Sequence, residues 1–373
     1  MGIGVLFFLL VAAIPSALVA LFLLLDGATW LGRLFAVSWL LMCAGVFCAY
    51  QRILNRPAGG NRILMVTGGS AALGFAFCYL SAPTGKSLPN SRFQSVFLDG
   101  GHYSSWTPSA IVPEMDQAKL GADLSSVVDS LMTRARAARM KSLFLTAYHE
   151  MDHDPEFVSV GSVMGGAYAD VFGLRPAQKH LFAYVPDHKA GQKLPVILFL
   201  HGSVGNFKVY TWTWKRFADA HQVAIVAPSF GFGNWYQPGG MEAIDAAYDY
   251  CLHHPDLDVT RLALAGLSNG GIGVSRAFVR NPERYRALIY ISAVMEPDVM
   301  GSAAFQQACL GKPVLVLHGE QDERIPLRYV QGSLALLGSK ANIKTNIYPG
   351  EDHFLFLSKR DEISADIAQW LPL

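Results

Sequence analysis

The stretch Gly266-Leu267-Ser268-Asn269-Gly270 constrains this chain more than any other. It follows the apolar run Leu262-Ala263-Leu264-Ala265 directly, and the residues after it, Gly271 to Arg280, read as a helix. A strand that turns sharply into a helix leaves its turn residue in a strained backbone conformation. That conformation is tolerated when the residues two before and two after lack side chains. Both of them, Gly266 and Gly270, are glycine. Such a turn lifts the Ser268 hydroxyl clear of the end of the sheet, where it is placed to act as a nucleophile.

A serine hydroxyl is a poor nucleophile at neutral pH until a base takes its proton and a carboxylate orients that base. Strand ends downstream supply both residue types. The run Pro313-Val314-Leu315-Val316-Leu317 reads as a buried strand and leads into His318-Gly319-Glu320-Gln321-Asp322, so Asp322 sits on a loop leaving that strand. Ile343 to Tyr348 reads as the last strand, and His353 follows it, ahead of a terminal helix around Leu355 to Leu371. Nucleophile, acid and base then come in the chain order Ser268, Asp322, His353. Glu320, Glu296 and Asp298 compete for the acid role, the last two because they follow a strand at Leu288 to Val294. The His318-Gly319-x-x-Asp322 spacing favours Asp322. Asp352 reads as a solvated loop residue.

An early strand, Leu194 to Leu200, runs into His201-Gly202-Ser203-Val204-Gly205-Asn206. A tetrahedral oxyanion needs two preorganised N–H donors. One is the backbone amide after the nucleophile, Asn269, and the other comes from the loop after this early strand. Ser203 is the expected second donor, with Val204 as its alternative, and His201 reads as a structural histidine holding the loop. Phe230, Phe232, Trp235 and Tyr236 follow the strand Val223 to Ala227, on the side where such sheets bind ligands. Phe230, Trp235 and Tyr236 are candidates to line a substrate pocket, packing of loop against loop being the other reading.

Together, His201-Gly202, Gly266-Leu267-Ser268-Asn269-Gly270-Gly271, His318-Gly319-x-x-Asp322 and Asp352-His353-Phe354 resemble the α/β-hydrolase superfamily. Within it the pattern is similar to compact serine esterases of the polyhydroxybutyrate-depolymerase and carboxylesterase type, and to catalytic domains of prolyl-oligopeptidase relatives. The resemblance covers about Leu181 to Leu373. It implies an α/β fold, a mostly parallel eight-stranded sheet flanked by helices, with Ser268 as nucleophile, Asp322 as acid and His353 as base. No cofactor is implied. The expected reaction is hydrolysis of a small or polymeric ester. A prolyl-oligopeptidase-like peptidase or amidase, or an inactive hydrolase scaffold that only binds, are the alternatives.

His149-Glu150-Met151-Asp152-His153 matches H-E-x-x-H, a zinc-protease signature. That chemistry needs both histidines on one helical face. Asp154-Pro155 follows at once and stops a helix there, so no metal site is expected.

With 51% hydrophobic and only 16% charged residues, the chain is too apolar for an ordinary soluble domain. The excess lies at the front. Gly2 to Leu25, Leu34 to Tyr50 and Ile63 to Ala82 read as three transmembrane helices, the last with small residues four apart (Gly68 with Ala72, Ser70 with Gly74). Arg52, Arg56 and Arg62 lie between the second and third. This basic loop is expected on the cytoplasmic side, with the N-terminus inside and the hydrolase outside, periplasmic or extracellular.

The expected organisation is an anchor at 1–84, a linker and hydrolase extension at 85–175, and a catalytic domain at 176–373. Ala82 to Pro113 reads as an irregular tether, and Phe157 to Phe172 as the start of the sheet's antiparallel edge. Leu120 to Ala147 has helical apolar spacing with Arg134, Arg136 and Arg139 on it. It is expected to pack on the hydrolase, the other reading being a helix on anionic headgroups. Cys251 and Cys309 are the only pair of cysteines outside the apolar runs. A net charge of +1 gives no reason to expect nucleic acid.

Overall fold

The apolar front of the chain is helical: α1 (Gly2–Asp26), α2 (Trp30–Asn55) and α3 (Gly60–Ser81). The computed structural model describes residues 2–55, 60–98, 100–174, 179–337 and 342–371. Arg56 and the expected domain boundary at 175–176 lie outside the described residues. Each of the three helices contains a span long and apolar enough to cross a membrane: Phe7–Asp26, Trp30–Leu54 and Arg62–Ser81, with mean hydropathy 2.8, 1.8 and 1.8. Their outward faces carry bare apolar side chains, among them Phe8, Leu18 and Leu73. Inward, Phe35 packs on Trp39 and Phe75, with ring centroids 5.8 and 5.4 Å away. Gly74 of α3 lies so close to Ser38 of α2 that a Cβ would strike its hydroxyl, whereas Gly68 has open space around it. Of the small residues read as packing positions, Gly74 is thus a point of close helix approach and Gly68 is not.

The chain divides into two compact units, residues 1–84 with 104–141 and residues 85–103 with 142–373. In the first unit a further helix, α4 (Glu114–Val128), is tied to the turn between α1 and α2. The buried Asp116 carboxylate accepts hydrogen bonds from the Ala28 amide (2.6 Å), the Thr29 amide (3.2 Å) and the Thr29 hydroxyl. Lys119 pairs with Asp26. The next helix, α5 (Arg134–Met151), begins in this unit and ends in the second. The stretch read as one helix over Leu120 to Ala147 is therefore broken at 129–133, where Asp129 turns its carboxylate onto the Leu131 amide (3.0 Å). Its first half groups with the apolar helices.

The second unit is built on apolar runs buried on both faces, which require a sheet covered on both sides. Its strands are β1 (Phe93–Leu98), β2 (Lys179–Tyr184), β3 (Leu194–Leu200), β4 (Ala224–Ser229), β5 (Leu257–Leu267), β6 (Ala287–Ile291), β7 (Pro313–Gly319) and β8 (Asn342–Tyr348). They form an eight-stranded sheet in the order β1-β2-β4-β3-β5-β6-β7-β8. β2 runs antiparallel to β1 and to β4, and the remaining pairings are parallel. Every residue of β3 and β6 is buried, whereas the edge strand β8 exposes Asn342, Lys344 and Thr345. Flanking the sheet are α6 (Lys208–His221), α7 (Gly240–His253), α8 (Gly270–Arg280), α9 (Leu327–Ala335) and α10 (Arg360–Trp370).

Two expectations for the segment ahead of the sheet need correction. The stretch read as a tether contains β1, whose Phe93 is fully buried and stacks on Phe157 at 3.9 Å. Phe157 to Phe172, read as the start of the antiparallel edge, instead holds most of the short helices Pro155–Val158 and Gly165–Val171. Asp154 starts the first by accepting the Glu156 amide at 3.1 Å, with Pro155 at the first helical position. Cys251 and Cys309 are both buried free thiols.

Close packing at Gly74 makes a direct prediction. Gly74→Val forces α2 and α3 apart and lowers the melting temperature of the detergent-solubilised protein, on the scale of an overpacked contact, about 1–3 kcal/mol. Gly68→Val, facing open space, leaves it unchanged.

Candidate active site

At the end of β5 the backbone turns through Ser268 with φ +52°. Three hydrogen bonds hold this residue in a conformation that L side chains rarely adopt. Its amide donates to Ile291 O (3.1 Å), and its carbonyl accepts from the amides of Gly271 (3.0 Å) and Val294 (2.9 Å). The glycines around it have no room for a side chain. A Cβ on Gly266 would lie 2.5 Å from the Gly270 carbonyl carbon, and one on Gly270 would run into the backbone of Leu200. Ser268 is half-buried, and α8 starts two residues later.

Two loops bring partners to that hydroxyl. His353 Nε2 lies 3.0 Å from Ser268 Oγ, and His353 Nδ1 lies 2.8 Å from Asp322 Oδ2. An ionised carboxylate only accepts, so Nδ1 carries the ring proton and Nε2 is left as the acceptor facing the serine hydroxyl. Asp322 has no exposed side-chain surface. Its other oxygen accepts the amides of Arg324 and Ile325, both at 2.9 Å. Burial alone would raise this carboxyl, but the hydrogen bond and charge of His353, with the Ile325 amide, hold it below the ordinary carboxylate range. The other candidate acids are engaged elsewhere or exposed. Glu296 forms a two-pronged pair with Arg276 (2.8 and 2.7 Å), and Glu320 accepts the Gly350 amide. Asp352 is buried and accepts the Phe354 amide at 3.0 Å, so it shapes the histidine loop and is not the solvated residue expected.

The loop after β3 packs directly on this serine, since a Cβ on Gly202 would lie 3.0 Å from Ser268 Cβ. His201 is fully buried and pins the loop. Its Nε2 accepts the Phe230 amide at 3.1 Å, which leaves Nδ1–H to donate to Gly202 O at 2.7 Å. Burial pushes this imidazole down to about 4, the Gly202 bond opposing in part. Ser203 follows, and Val204 takes φ +80°, a left-handed conformation costly for a β-branched residue.

The three aromatic residues read as pocket-lining take different places. Phe230 lines a cavity of about 290 Å³ together with Ala167, Asp170, His180, Asn206 and Ser229. Tyr236 is 52% exposed. Trp235 is fully buried in the core, with its indole N–H donating to His201 O at 2.9 Å, so it braces the loop and does not line an open pocket. Sequence reading missed the cavity because its walls come from segments far apart in the chain. At its wall His180 sits between Ser229 Oγ (2.8 Å) and Ser95 Oγ (3.0 Å), and burial pushes it down to about 3.

The H-E-x-x-H stretch is not on one continuous helix. α5 ends at Met151, and Glu150 pairs with Arg360 at 2.7 Å. His153 Nδ1 lies 2.7 Å from the His149 carbonyl.

Sheet order and helix placement give the architecture. The fold is that of the α/β-hydrolases. No family model matches the sequence. Similar solved structures include Est1E from Butyrivibrio proteoclasticus, at 20% identity over 52% of this chain and 96% of that one, with a TM-score of 0.41. Others are the fluorophosphonate-binding serine hydrolase F of Staphylococcus aureus (16%, 52% and 93%, TM-score 0.45) and an S-formylglutathione hydrolase from Agrobacterium tumefaciens (16%, 52% and 90%, TM-score 0.42). The fold assignment rests on the strand order and the helices of the chain itself.

Two buried histidines with lowered affinity for protons have a measurable consequence. In the unfolded chain His180 and His201 titrate near the ordinary value of about 6.5. Between that value and their folded ones the unfolded state holds more protons, so stability falls as pH drops from about 6.5 towards 4. In urea unfolding of the full chain followed across this range, His180→Gln flattens the slope; an unchanged slope would contradict the assignment.

Proposed function

We propose that this chain is a membrane-anchored serine hydrolase that cleaves carboxylic esters through an acyl-enzyme on Ser268. The observation that carries this reading is the unbroken hydrogen-bonded chain from Ser268 Oγ through His353 to Asp322, starting on a serine held at φ +52°. In that arrangement His353 Nε2 removes the hydroxyl proton as Oγ attacks the substrate carbonyl. Asp322, ionised and desolvated, steadies the imidazolium that forms. His353 then gives the proton to the departing alcohol, and water activated by the same imidazole releases the acyl group.

The tetrahedral oxyanion is assigned to the amides of Asn269 and Ser203. Support for Ser203 comes from the peptide that precedes it. The Gly202 carbonyl is drawn to His201 Nδ1, and in a trans peptide the Ser203 N–H points the opposite way. Gly202 itself abuts Ser268, so that amide belongs to the wall of the reacting centre. These steps need no cofactor. The cavity beside Phe230 lies at the end of β4, two strand spacings or roughly 10 Å from Ser268, and is assigned to the distal part of the substrate.

Ester hydrolysis is preferred over amide hydrolysis because nothing ahead of the sheet resembles the propeller with which many prolyl-oligopeptidase relatives restrict access to peptides. Between β6 and β7 the chain makes only two short helices, Pro297–Met300 and Ala303–Ala308, and no inserted cap. The membrane reading rests on the three apolar spans, and a cytoplasmic N-terminus on Arg52 and Arg62 at the facing ends of the second and third. Three crossings then put the hydrolase unit outside the cytoplasm.

A fluorophosphonate probe should label the folded protein at Ser268, and Ser268→Ala should abolish the adduct. Absence of labelling in folded protein would reduce the chain to a binding scaffold. Asp322→Asn should lower ester turnover by about 10⁴-fold while leaving the fold intact. Faster cleavage of an amide than of an ester with the same acyl group would overturn the substrate class.

A further inference from the structure

The first unit carries a feature that hydrolysis does not use. The C-terminal half of α4 and the turn after it present Leu124, Val127, Val128 and Leu131 to solvent, with Val127 and Val128 81% and 80% exposed. Valines so exposed on adjacent positions, beside two leucines, form an apolar tip with no cover within the unit. Immediately after it come Arg134, Arg136 and Arg139, against the single acid Asp129 between Val127 and Arg139.

The level at which α4 starts follows from how its first turns are held. Asp116 and Lys119 tie its first turns to Ala28, Thr29 and Asp26, the turn joining the first two apolar spans. If α1 to α3 cross a bilayer, that turn lies at the boundary between lipid and water. Aromatic residues mark the same end of the bundle. Trp30 begins α2 and is 63% exposed, and Tyr79, near the end of α3, stacks on Trp106 at 4.0 Å. Such rings collect at headgroup level. A second brace keeps α4 and α5 together, since Asp123 accepts Lys119 (3.4 Å) and Lys141 (2.5 Å). Val128 stands about 18 Å along the helix from Asp116, within the span of a helix lying in the interface.

We infer that the hairpin from Leu124 to Arg139 is a membrane-surface contact, with its apolar tip in the headgroup boundary and its arginines against anionic lipid. Each such cation near an anionic leaflet adds to the attraction. The inference rests on the reading of α1 to α3 as membrane spans. Of the two readings of this segment, it takes the helix on anionic headgroups over packing on the hydrolase.

The test uses the full chain in vesicles of phosphatidylcholine with phosphatidylglycerol, carrying the photoreactive residue p-benzoylphenylalanine at one position at a time. Leu73, exposed on α3, reports the anchor; Val128 reports the hairpin; Leu252, exposed on α7, reports the hydrolase surface. Lipid adducts at Leu73 and Val128 but not at Leu252 are expected. Adducts at Leu73 alone overturn the hairpin contact and leave the anchor standing, while no adduct at Leu73 sinks the anchor itself. A crosslink from Val128 to a second copy of the chain, or equal labelling at Leu252, also overturns the contact. Replacing Arg134, Arg136 and Arg139 together by glutamine should drop the Val128 adduct to its level in pure phosphatidylcholine. An unchanged yield would remove the arginines from the contact.

Discussion

The backbone at Ser268 is the constraint on which the hydrolase unit is organised. A left-handed residue between a strand and a helix is unfavourable in isolation, and here it is fixed by Ile291, Gly271 and Val294. Those bonds require β6 to lie beside β5 and α8 to fold back across the sheet's end. Glycine at 266, 270 and 271 is the condition for that approach, because any Cβ would meet backbone atoms. Once the turn is set, the hydroxyl points to where the loops after β7 and β8 converge, and His353 meets it.

Those loops are themselves stiffened by polar groups that do not touch Ser268. His318, buried, meets Ile325 O through Nε2 at 2.8 Å, and Asp322 accepts two amides of the same loop. His201 does the same work on the other side, tying Phe230, Gly202 and, through its carbonyl, Trp235 into one cluster. Burial keeps His201 from taking up a second proton, so its Nε2 stays an acceptor, as the Phe230 amide demands. Rigid surroundings of this kind are what hold reacting groups within a fraction of an ångström of their working positions.

The central strands could be read from sequence because burial on both faces leaves an unbroken apolar run, as in Leu194 to Leu200. The serine and the acid could be singled out because each follows such a run, and the histidine because it follows the last strand, Ile343 to Tyr348; the three stand in hydrogen-bond contact. β1 could not be read. Its sequence, Phe93-Gln94-Ser95-Val96-Phe97-Leu98, sits among serines, prolines and glycines, and its pairing partner is β2, ending at Tyr184. Trp235 misled for a different reason. An aromatic residue on a loop near a ligand-binding edge looks like a pocket wall, but one hydrogen bond to His201 O makes full burial of an indole affordable. The Phe230 cavity was invisible because no local pattern records that Ala167, His180 and Asn206 meet.

The division of the chain has a consequence for its biogenesis. Residues 85–103 belong to the hydrolase unit, yet residues 104–141, made next, return to the unit of the apolar helices. Synthesis therefore delivers the outermost strand first and must hold it unpaired while Phe93 waits for Tyr184. Non-local pairing of this sort slows folding and leaves apolar residues bare in the meantime. Cutting the chain after residue 141 to obtain a fragment without the apolar helices would remove β1 and leave β2 as a naked rim, ready to pair with a neighbour.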